Sequence, residues 1–276
     1  VPHGAVRAYV MGERGPAHDD ATAEEIEQMA DLVTEAVEAG ALGFSTSRTE
    51  KHKDSSGVLT PSITAHEDEL VGIARAVGET DGGVLQGISD FYNFDNEFAL
   101  FKKMSQVSGR PISLTVEQQD ARPEWWLQLL DGIAEAQAEG IPMYGQVPPR
   151  ATGVLLGLTA SANPFSFNPV FGEIAALPLD EQVAAMRSDE FRERLLATPN
   201  PKTGNDLADE VLYSYDKMFS LGEPANYEPA PEDSIGERAR SEDRTPEEVA
   251  YELLLENDGR ALIYQPLFNY EPGNLD

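Results

Sequence analysis

Residues 22–48 read TAEEIEQMADLVTEAVEAGALGFSTSR, and this stretch decides the fold. Thr22 and Glu25 have the spacing of a capping box, in which a hydroxyl and a carboxylate each bond a free amide at the start of a helix. Apolar residues then recur at helical spacing, so one face of the helix is buried and the other is wet. Gly40 supplies the left-handed residue that ends the helix. Residues 42–48 give a short apolar run followed by a polar tip, which predicts an interior parallel strand and its end.

The same helix-then-strand unit recurs along the first half of the chain. Its helices carry apolar residues on one face, and its strands are short, apolar and bounded by turn residues. The predicted helix and strand pairs are 67–78 with 84–86, 96–108 with 112–116, and 123–139 with 141–147. After a longer first interval the repeat is about thirty residues, the size of one strand-plus-helix unit.

The pattern loosens beyond residue 150 into Asn-Pro pairs and a proline-rich stretch, around helical segments at 179–197 and 206–219. Order returns at Thr245, where a capping threonine, a proline at the first helical position and a box glutamate predict a helix start. Residues 261–264 follow as a fifth strand. The predicted parts are barrel βα units over 1–149, a helical and proline-rich insertion over 150–244, and a return to the barrel over 245–276.

Short strands that each follow a helix require a parallel sheet with helical crossovers. Two architectures satisfy this requirement, an open doubly wound sheet and a closed barrel. No Gly-x-Gly-x-x-Gly or P-loop motif follows any strand, which removes the main sequence argument for the open nucleotide-binding form. We therefore predict an α/β chain of the (β/α)8 TIM-barrel type, with only the middle strands of the barrel present.

The chain is strongly acidic, with 49 Asp and Glu residues against 20 Lys and Arg and a net charge of −29. Nucleic acids and anionic membranes attract clustered basic residues, which this sequence lacks, so we expect neither as a partner. The sequence also has no apolar run of membrane-spanning length and no signal-like opening, and we expect a cytoplasmic location. We interpret the acidity mainly as a solvated surface, with cation binding as the alternative. Because there is no cysteine, disulfides and thiolate metal ligands are excluded within these residues.

Candidate site residues follow from the predicted architecture, because the chemistry of a barrel is located where its strands end. The polar residues at these ends are mostly neutral hydrogen-bonding groups: Ser45, Thr46, Gln86, Glu117, Gln118, Gln146, Tyr264 and Gln265. Each of them is also explained as a capping or surface residue, so the set carries more weight than any member.

The four histidines show no pair with the i, i+4 spacing of a helical zinc site. His52 lies in a polar loop, where it is either a lid contact or a solvated residue. His18 and His66 precede helices and are interpreted as surface or capping residues. There is no Gly-x-Ser-x-Gly motif, so the sequence gives no support for a serine nucleophile.

Three segments near the start of the chain and three shorter motifs further on follow one sequence pattern. They are PHGAVRAYVMG at 2–12, AEEI at 23–26 and EAVEAGALGFST at 35–46, followed by Pro61…Ala65…Glu69-Leu70, Gly109-Arg110-Pro111 and Gly259-Arg260-Ala261. Together they resemble the amidohydrolase family that includes the N-acyl-D-amino-acid deacylases. The resemblance implies a metal-dependent TIM barrel, in which a metal-bound hydroxide attacks an amide carbonyl and an aspartate carries the proton. His3 matches the family's His-Gly motif, which implies a contact with substrate; the alternative is a histidine packed beside the mouth of the barrel.

The chain also departs from the family pattern at its expected metal ligands. Such enzymes begin with a His-x-His pair and finish with a metal-binding aspartate, and neither is present, so we expect an interior segment of a longer protein. Ile88 and Val116 stand where the family usually has histidines. Isoleucine and valine cannot coordinate zinc. The resemblance therefore implies zinc in the full-length protein, with fewer ions than usual and no metal ligand assigned within this chain.

Our leading interpretation is a segment of an amidohydrolase that hydrolyses a linear, non-peptide amide such as an N-acyl-D-amino acid, the segment alone being inactive. The alternative is a catalytically silent barrel that keeps its pocket as a binding or structural module. The expected partner is a small-molecule amide, the oligomeric state stays open, and no residue is assigned a catalytic role. The predicted substrate-binding residues are His3, Arg48, His52, Gln86, Gln118, Gln146 and Tyr264.

Overall fold

A computed structural model of the chain describes residues 1–54, 57–119 and 122–270. Contacts group the chain into two compact units, the first formed by 1–116 and 124–147 and the second by 117–123 and the residues from 148 onward. Among the described helices none is long and apolar enough to cross a bilayer. The predicted boundaries at residues 149 and 244 and the cytoplasmic location stay predictions.

The first unit is a parallel sheet whose strands are joined by helices. Its elements are α1 (His3–Met11), α2 (Ala23–Glu38), β1 (Gly43–Arg48), α3 (Glu67–Glu79), β2 (Val84–Ser89), α4 (Phe94–Ser108), β3 (Ile112–Thr115), α5 (Trp125–Ala138) and β4 (Met143–Gln146). The strand order is β1-β2-β3-β4, and all three pairings are parallel. The predicted α/β class with repeated parallel strand-plus-helix units is confirmed in this sheet.

Helix α2 begins as its capping box predicts. The Thr22 hydroxyl accepts from the Glu25 amide at 3.2 Å, and the Glu25 carboxylate accepts from the Thr22 amide at 2.8 Å. Met29 and Val33, on its apolar face, are fully buried in the core of the first unit. The sequence pattern therefore fixes both the start of this helix and the face that it buries.

Strand β1 is longer than predicted, because the polar tip belongs to it. Side chains alternate between the two faces of a strand. Phe44 lies in the apolar core and Thr46 is buried, whereas Ser45 and Ser47 keep partial exposure. The end of β1 is polar because Ser45 and Ser47 lie on the face of the sheet that the helices do not cover.

This polar face continues across the sheet. Paired positions of parallel strands share a face, and Ser45 pairs with Gln86, Gln86 with Ser113, and Ser113 with Tyr144. The side chains at these paired positions are neutral hydrogen-bonding groups, and Tyr144 is 51% exposed. The first unit therefore has one apolar face, covered by helices, and one neutral polar face.

The first two residues extend the sheet beside β1. The Val1 nitrogen donates to the Gly43 carbonyl at 2.6 Å, and the Ser45 amide donates to the Val1 carbonyl at 3.0 Å. Pro2 and Ser45 form a parallel bridge. Because α1 starts at the next residue, this pairing places His3 against β1.

The second unit combines short helices with an antiparallel sheet. Its elements are β5 (Thr152–Leu156), α6 (Pro169–Gly172), α7 (Leu179–Met186), α8 (Asp189–Ala197), α9 (Asp206–Tyr213), β6 (Phe219–Ser220), α10 (Ile235–Glu242), α11 (Pro246–Gly259) and β7 (Ile263–Phe268). The strand order is β5-β7-β6. Helix α11 carries the capping box predicted at Thr245.

The prediction that residues 261–264 form a further parallel barrel strand is wrong. The strand runs over Ile263–Phe268 and is antiparallel to both of its partners, β5 and β6. A helix-then-strand pattern predicts where a strand lies in the sequence, but it does not predict which strands pair with it. Here the buried side chains of Ile263 and Tyr264 are accommodated within the second unit. They lie beside β5, a strand within the predicted helical and proline-rich insertion.

Candidate functional site

A cavity of about 420 Å³ opens beside the carboxyl-terminal halves of β1 and β2 in the first unit. Its lining comes from the start of α1, from both strands and from the loop after β1: Pro2, His3, Gly4, Ala5, Ser45, Thr46, Ser47, His52, Thr60, Pro61, Ser62, Gln86 and Ile88. Three predicted substrate-binding residues, His3, His52 and Gln86, line it together. No lining residue in the described part of the chain carries a carboxylate, ammonium or guanidinium group.

His3 is held in the cavity wall by two hydrogen bonds. Its Nε2 lies 2.7 Å from the Glu69 carboxylate and its Nδ1 lies 3.0 Å from the Thr46 hydroxyl. Arg7, one turn further along α1, places its Nε 2.8 Å from the same Glu69 oxygen. All three side chains of this His3–Glu69–Arg7 cluster are almost completely buried.

The partners of His3 define its tautomer. Burial lowers the pKa of His3 below its ordinary value, and the Glu69 carboxylate only partly offsets this effect. The imidazole is therefore neutral near pH 7, with one nitrogen that donates and one that accepts. Since a carboxylate can only accept, Nε2 donates to Glu69, and Nδ1 accepts from the Thr46 hydroxyl.

His52 and Gln86 line the cavity, and each is held there by a hydrogen bond. The His52 Nδ1 lies 2.7 Å from the Ser47 hydroxyl. The Gln86 side-chain amide donates to the Thr115 hydroxyl on the neighbouring strand at 3.4 Å. Both side chains are thus held by neighbours on the polar face of the sheet.

Arg48 and Gln146 belong to the first unit but lie outside the cavity lining. The Arg48 guanidinium forms two bonds of 2.8 Å to the Glu97 carboxylate and a third to the Ala65 carbonyl. Gln146, exposed at the end of β4, accepts from the Ser113 hydroxyl at 3.3 Å. Arg48 therefore ties β1 to α4, and the substrate contacts expected of both residues stay predictions.

Gln118 and Tyr264 lie in the second unit. The Gln118 backbone exchanges two hydrogen bonds with Asn269, one to the side chain and one to the main chain. Tyr264 is buried in β7, where its hydroxyl donates to the Ala151 carbonyl and its ring meets Tyr227 edge-on. Their proposed substrate contacts stay predictions, and Tyr264 lies within a strand and not at a barrel strand end.

Sequence reasoning missed Glu69, which orients His3. A glutamate in the first turn of a helix looks like an ordinary partner of the helix dipole. Its spacing held a further signal, because Glu69 precedes Ile73 by four residues and Val77 by eight, both on the buried face of α3. An acidic residue on an apolar stripe needs a buried partner, and His3 and Arg7 are those partners.

The zinc that the family resemblance implies does not fit the residues at this cavity. No group of three His, Cys, Asp or Glu side chains among the described residues could hold a metal ion. Both nitrogens of His3 already have partners, and Ile88 lines the wall where a metal-binding histidine was expected. The described residues of this cavity therefore offer no set of zinc ligands.

Sequence comparison identifies the family to which this α/β chain with a neutral strand-end cavity belongs. The model of the amidohydrolase family matches residues 1–241, most of the 276-residue sequence. The chain belongs to the amidohydrolase family, as its motifs indicated. A search among curated proteins gives no match.

Solved structures of D-aminoacylase resemble this chain at low identity. One defines a subset of amidohydrolases, with 15% identity and a TM-score of 0.46. A second is a variant in complex with copper chloride, and a third concerns the binuclear metal centre of that enzyme; both have TM-scores of 0.44. Each alignment covers 96% of this chain but 42% of the D-aminoacylase chain. Likeness at these scores carries no argument about activity.

Proposed function

We propose that this chain is the substrate-binding part of an amidohydrolase that hydrolyses a linear, non-peptide amide such as an N-acyl-D-amino acid. The observation that carries the proposal is the family match over residues 1–241. The motif resemblance to the N-acyl-D-amino-acid deacylases supports this substrate class. Because the chain spans 42% of the D-aminoacylase chains, the activity is proposed for the protein that contains it.

The chemistry of the cavity suits an amide. An amide offers one acceptor and one donor, and it carries no charge. Gln86 presents both an amide donor and a carbonyl acceptor, and the serine and threonine hydroxyls of the lining add groups that act in either sense. The described lining without charged side chains desolvates the neutral amide group at lower cost than it would desolvate an ion, so the carboxylate of an N-acyl amino acid would stay in solvent outside this lining.

Residues of this chain would bind and orient the substrate. Gln86 would form hydrogen bonds with the substrate amide. His52, on the loop after β1, would close over the bound substrate. His3 would act indirectly, because its Nδ1 fixes the Thr46 hydroxyl as an acceptor toward the cavity. Any metal ion would depend on ligands beyond those found at this cavity.

The test is an assay of the purified full-length protein with N-acetyl-D-methionine and N-acetyl-L-methionine, following release of the primary amine. We expect hydrolysis of the D substrate. Replacing Gln86 by alanine should raise KM about tenfold, the equivalent of one lost hydrogen bond of about 1.4 kcal/mol. Gln28→Ala, at an exposed position on α2, is the matched control and should leave KM unchanged.

Two further outcomes separate the alternatives. Tight binding of N-acyl amino acids by calorimetry without any amine release would support the catalytically silent barrel instead. If the protein neither binds nor hydrolyses any N-acyl amino acid, the proposed substrate class is wrong. Elemental analysis of the same protein after dialysis against metal-free buffer then measures how many metal ions it holds.

A further inference from the structure

The loop after β1 returns to the strand that it leaves. The Ser62 hydroxyl donates to the Ser47 carbonyl at 2.8 Å, and the Thr60 amide donates to the His52 carbonyl at 3.1 Å. The His52 amide in turn donates to the Thr49 carbonyl at 3.4 Å. These backbone and side-chain bonds hold the His52 main chain above the end of β1.

This return brings a hydroxyl and an imidazole together in the cavity wall. Ser47 Oγ and His52 Nδ1 are 2.7 Å apart, and both residues line the cavity. Ser47 lies on the polar face of a paired strand, opposite Ile88 of β2. A hydroxyl within hydrogen-bond reach of an imidazole is the basic requirement for an activated serine nucleophile.

The surroundings leave His52 as the base for Ser47. His3, the other imidazole in the lining, has its nitrogens engaged by Glu69 and Thr46. Among the lining residues that the structure describes, none carries a carboxylate or an amine. Within this described part of the chain, the basic group in reach of the Ser47 hydroxyl is the exposed His52.

The start of α1 supplies donors for the negative charge that develops during acyl transfer. The first amides of a helix have no acceptor within it. Here the preceding residue, Pro2, provides no side-chain cap, and the first turn has no acidic residue. His3, Gly4 and Ala5 line the same cavity as the Ser47–His52 pair. Free backbone amides of this kind stabilise a developing oxyanion.

We propose that Ser47 and His52 form an acyl-transfer dyad that accepts the acyl group of small activated oxyesters. Ser47 Oγ attacks the ester carbonyl carbon while its proton passes to His52 Nδ1. The bond to the leaving oxygen then breaks, His52 gives the proton to that alkoxide or phenoxide, and an acyl-Ser47 ester is formed. Water, losing a proton to the now neutral His52, attacks the acyl carbon. His52 then returns this proton to Ser47 Oγ as the ester bond breaks and the carboxylic acid leaves. This activity does not depend on the amide hydrolysis proposed above.

The test incubates the full-length protein with p-nitrophenyl acetate in the presence of EDTA. We expect a burst of p-nitrophenol and one acetyl group on the peptide that contains Ser47, located by mass spectrometry. Ser47→Ala should abolish the burst and the label. His52→Gln should slow acylation about 100-fold, the usual contribution of a general base. His66→Gln removes an exposed imidazole on the same unit, outside the cavity, and should change nothing.

Two outcomes would contradict the proposed dyad. A burst that persists in Ser47→Ala would show that His52 or another group reacts directly with the ester. The absence of acetyl on Ser47 in the native protein would show that Ser47 is not the nucleophile. Circular dichroism of each variant establishes that the fold is intact. Because EDTA is present, the result is separate from any metal-dependent amide hydrolysis.

Discussion

At the scale of single residues, the His3–Glu69–Arg7 cluster connects three parts of the first unit. Glu69 lies on α3, His3 and Arg7 lie on α1, and the Arg7 guanidinium also donates to the carbonyls of Pro61 and Asp19. A buried ion pair of this kind offsets its desolvation only when nearly every donor is satisfied. The cluster therefore holds the wall of the cavity in place, and the loss of any one of its three side chains should destabilise that wall.

Replacing Glu69 by glutamine should destabilise the protein by about 3 kcal/mol or more, because Arg7 would keep its charge in a buried site without a counter-ion. Glu67→Gln is the matched control on the same helix, since Glu67 pairs with Lys103 at the exposed surface. Its loss should be less than about 1 kcal/mol. Urea unfolding measures both, and equal losses would contradict this role for Glu69.

The lowered pKa of His3 predicts how stability changes with pH. Burial lowers this pKa from the ordinary value of 6.5, assisted by Arg7 and Arg48 and opposed by Glu69. The unfolded chain then binds a proton more readily than the folded one, so stability is full above pH 6.5 and falls as the pH drops toward the folded-state pKa.

Urea unfolding of the native protein and of His3→Gln between pH 8 and pH 5 measures this effect. The stability advantage of the native protein should narrow by at most about 1.4 kcal/mol for each pH unit below 6.5. An advantage that stays constant or widens on acidification would show that burial does not control His3.

At the scale of elements, the sequence predicted the helices better than the sheet partners. Capping boxes at Thr22 and Thr245 are local signals, and both are formed. The pairing of β7 with β5 joins residues more than a hundred positions apart, and no local pattern encodes it. The sequence predicted the polar tip of β1 but placed it at the end of the strand, whereas the strand continues through it to Arg48. Its serines face the cavity and not the apolar core, so no apolar alternation marks this part of the strand.

The candidate site was only partly predicted, because some of its residues depend on contacts between distant parts of the chain. His3, His52 and Gln86 could be named because strand ends and a family motif are visible in the sequence. Glu69 and Ser47 acquire their importance only from tertiary contacts, with His3 and with His52. Hydrogen-bond partners of this kind cannot be deduced from residue type and spacing.

Gly43 sets the spacing of β1 and β2 at their first residues. Its φ is +147°, and a Cβ at this position would lie 1.9 Å from the Val84 carbonyl oxygen. Gly40 also has a positive φ, +107°, but a Cβ there would meet nothing within 4 Å. The two glycines thus share backbone strain and differ in steric contact.

Gly40→Ala should cost about 1–3 kcal/mol through backbone strain alone. Gly43→Ala should cost at least about 1 kcal/mol more, because the strands must also separate. Thermal and urea unfolding of the two variants measure the difference. Equal losses would show that the strands accommodate the methyl group.

At the scale of the whole molecule, charge repulsion acts on the folded chain. A net charge of −29 places many carboxylates within a Debye length of one another, which favours expansion. Surface ion pairs act in the opposite direction, but each contributes little. Repulsion among the excess acidic groups is therefore the larger electrostatic effect.

Raising NaCl from about 10 mM to about 0.5 M should increase Tm, because the Debye length falls from about 30 Å to less than about 5 Å. Choline chloride at equal ionic strength separates screening from binding of Na⁺, and both salts should give the same increase. A fall in Tm would mean that the ion pairs outweigh the repulsion.

The pairing of residues 1–2 with β1 has a consequence for hydrogen exchange. The Ser45 amide is bonded to the Val1 carbonyl, two residues before the histidine that forms the cavity wall. Its deuterium uptake therefore reports how often that short segment detaches. We expect the Ser45 amide to exchange as slowly as amides bonded between β1 and β2, and to become faster in Glu69→Gln, where His3 loses its anchor. Rapid exchange in the native protein would instead mean that the cavity opens along this edge.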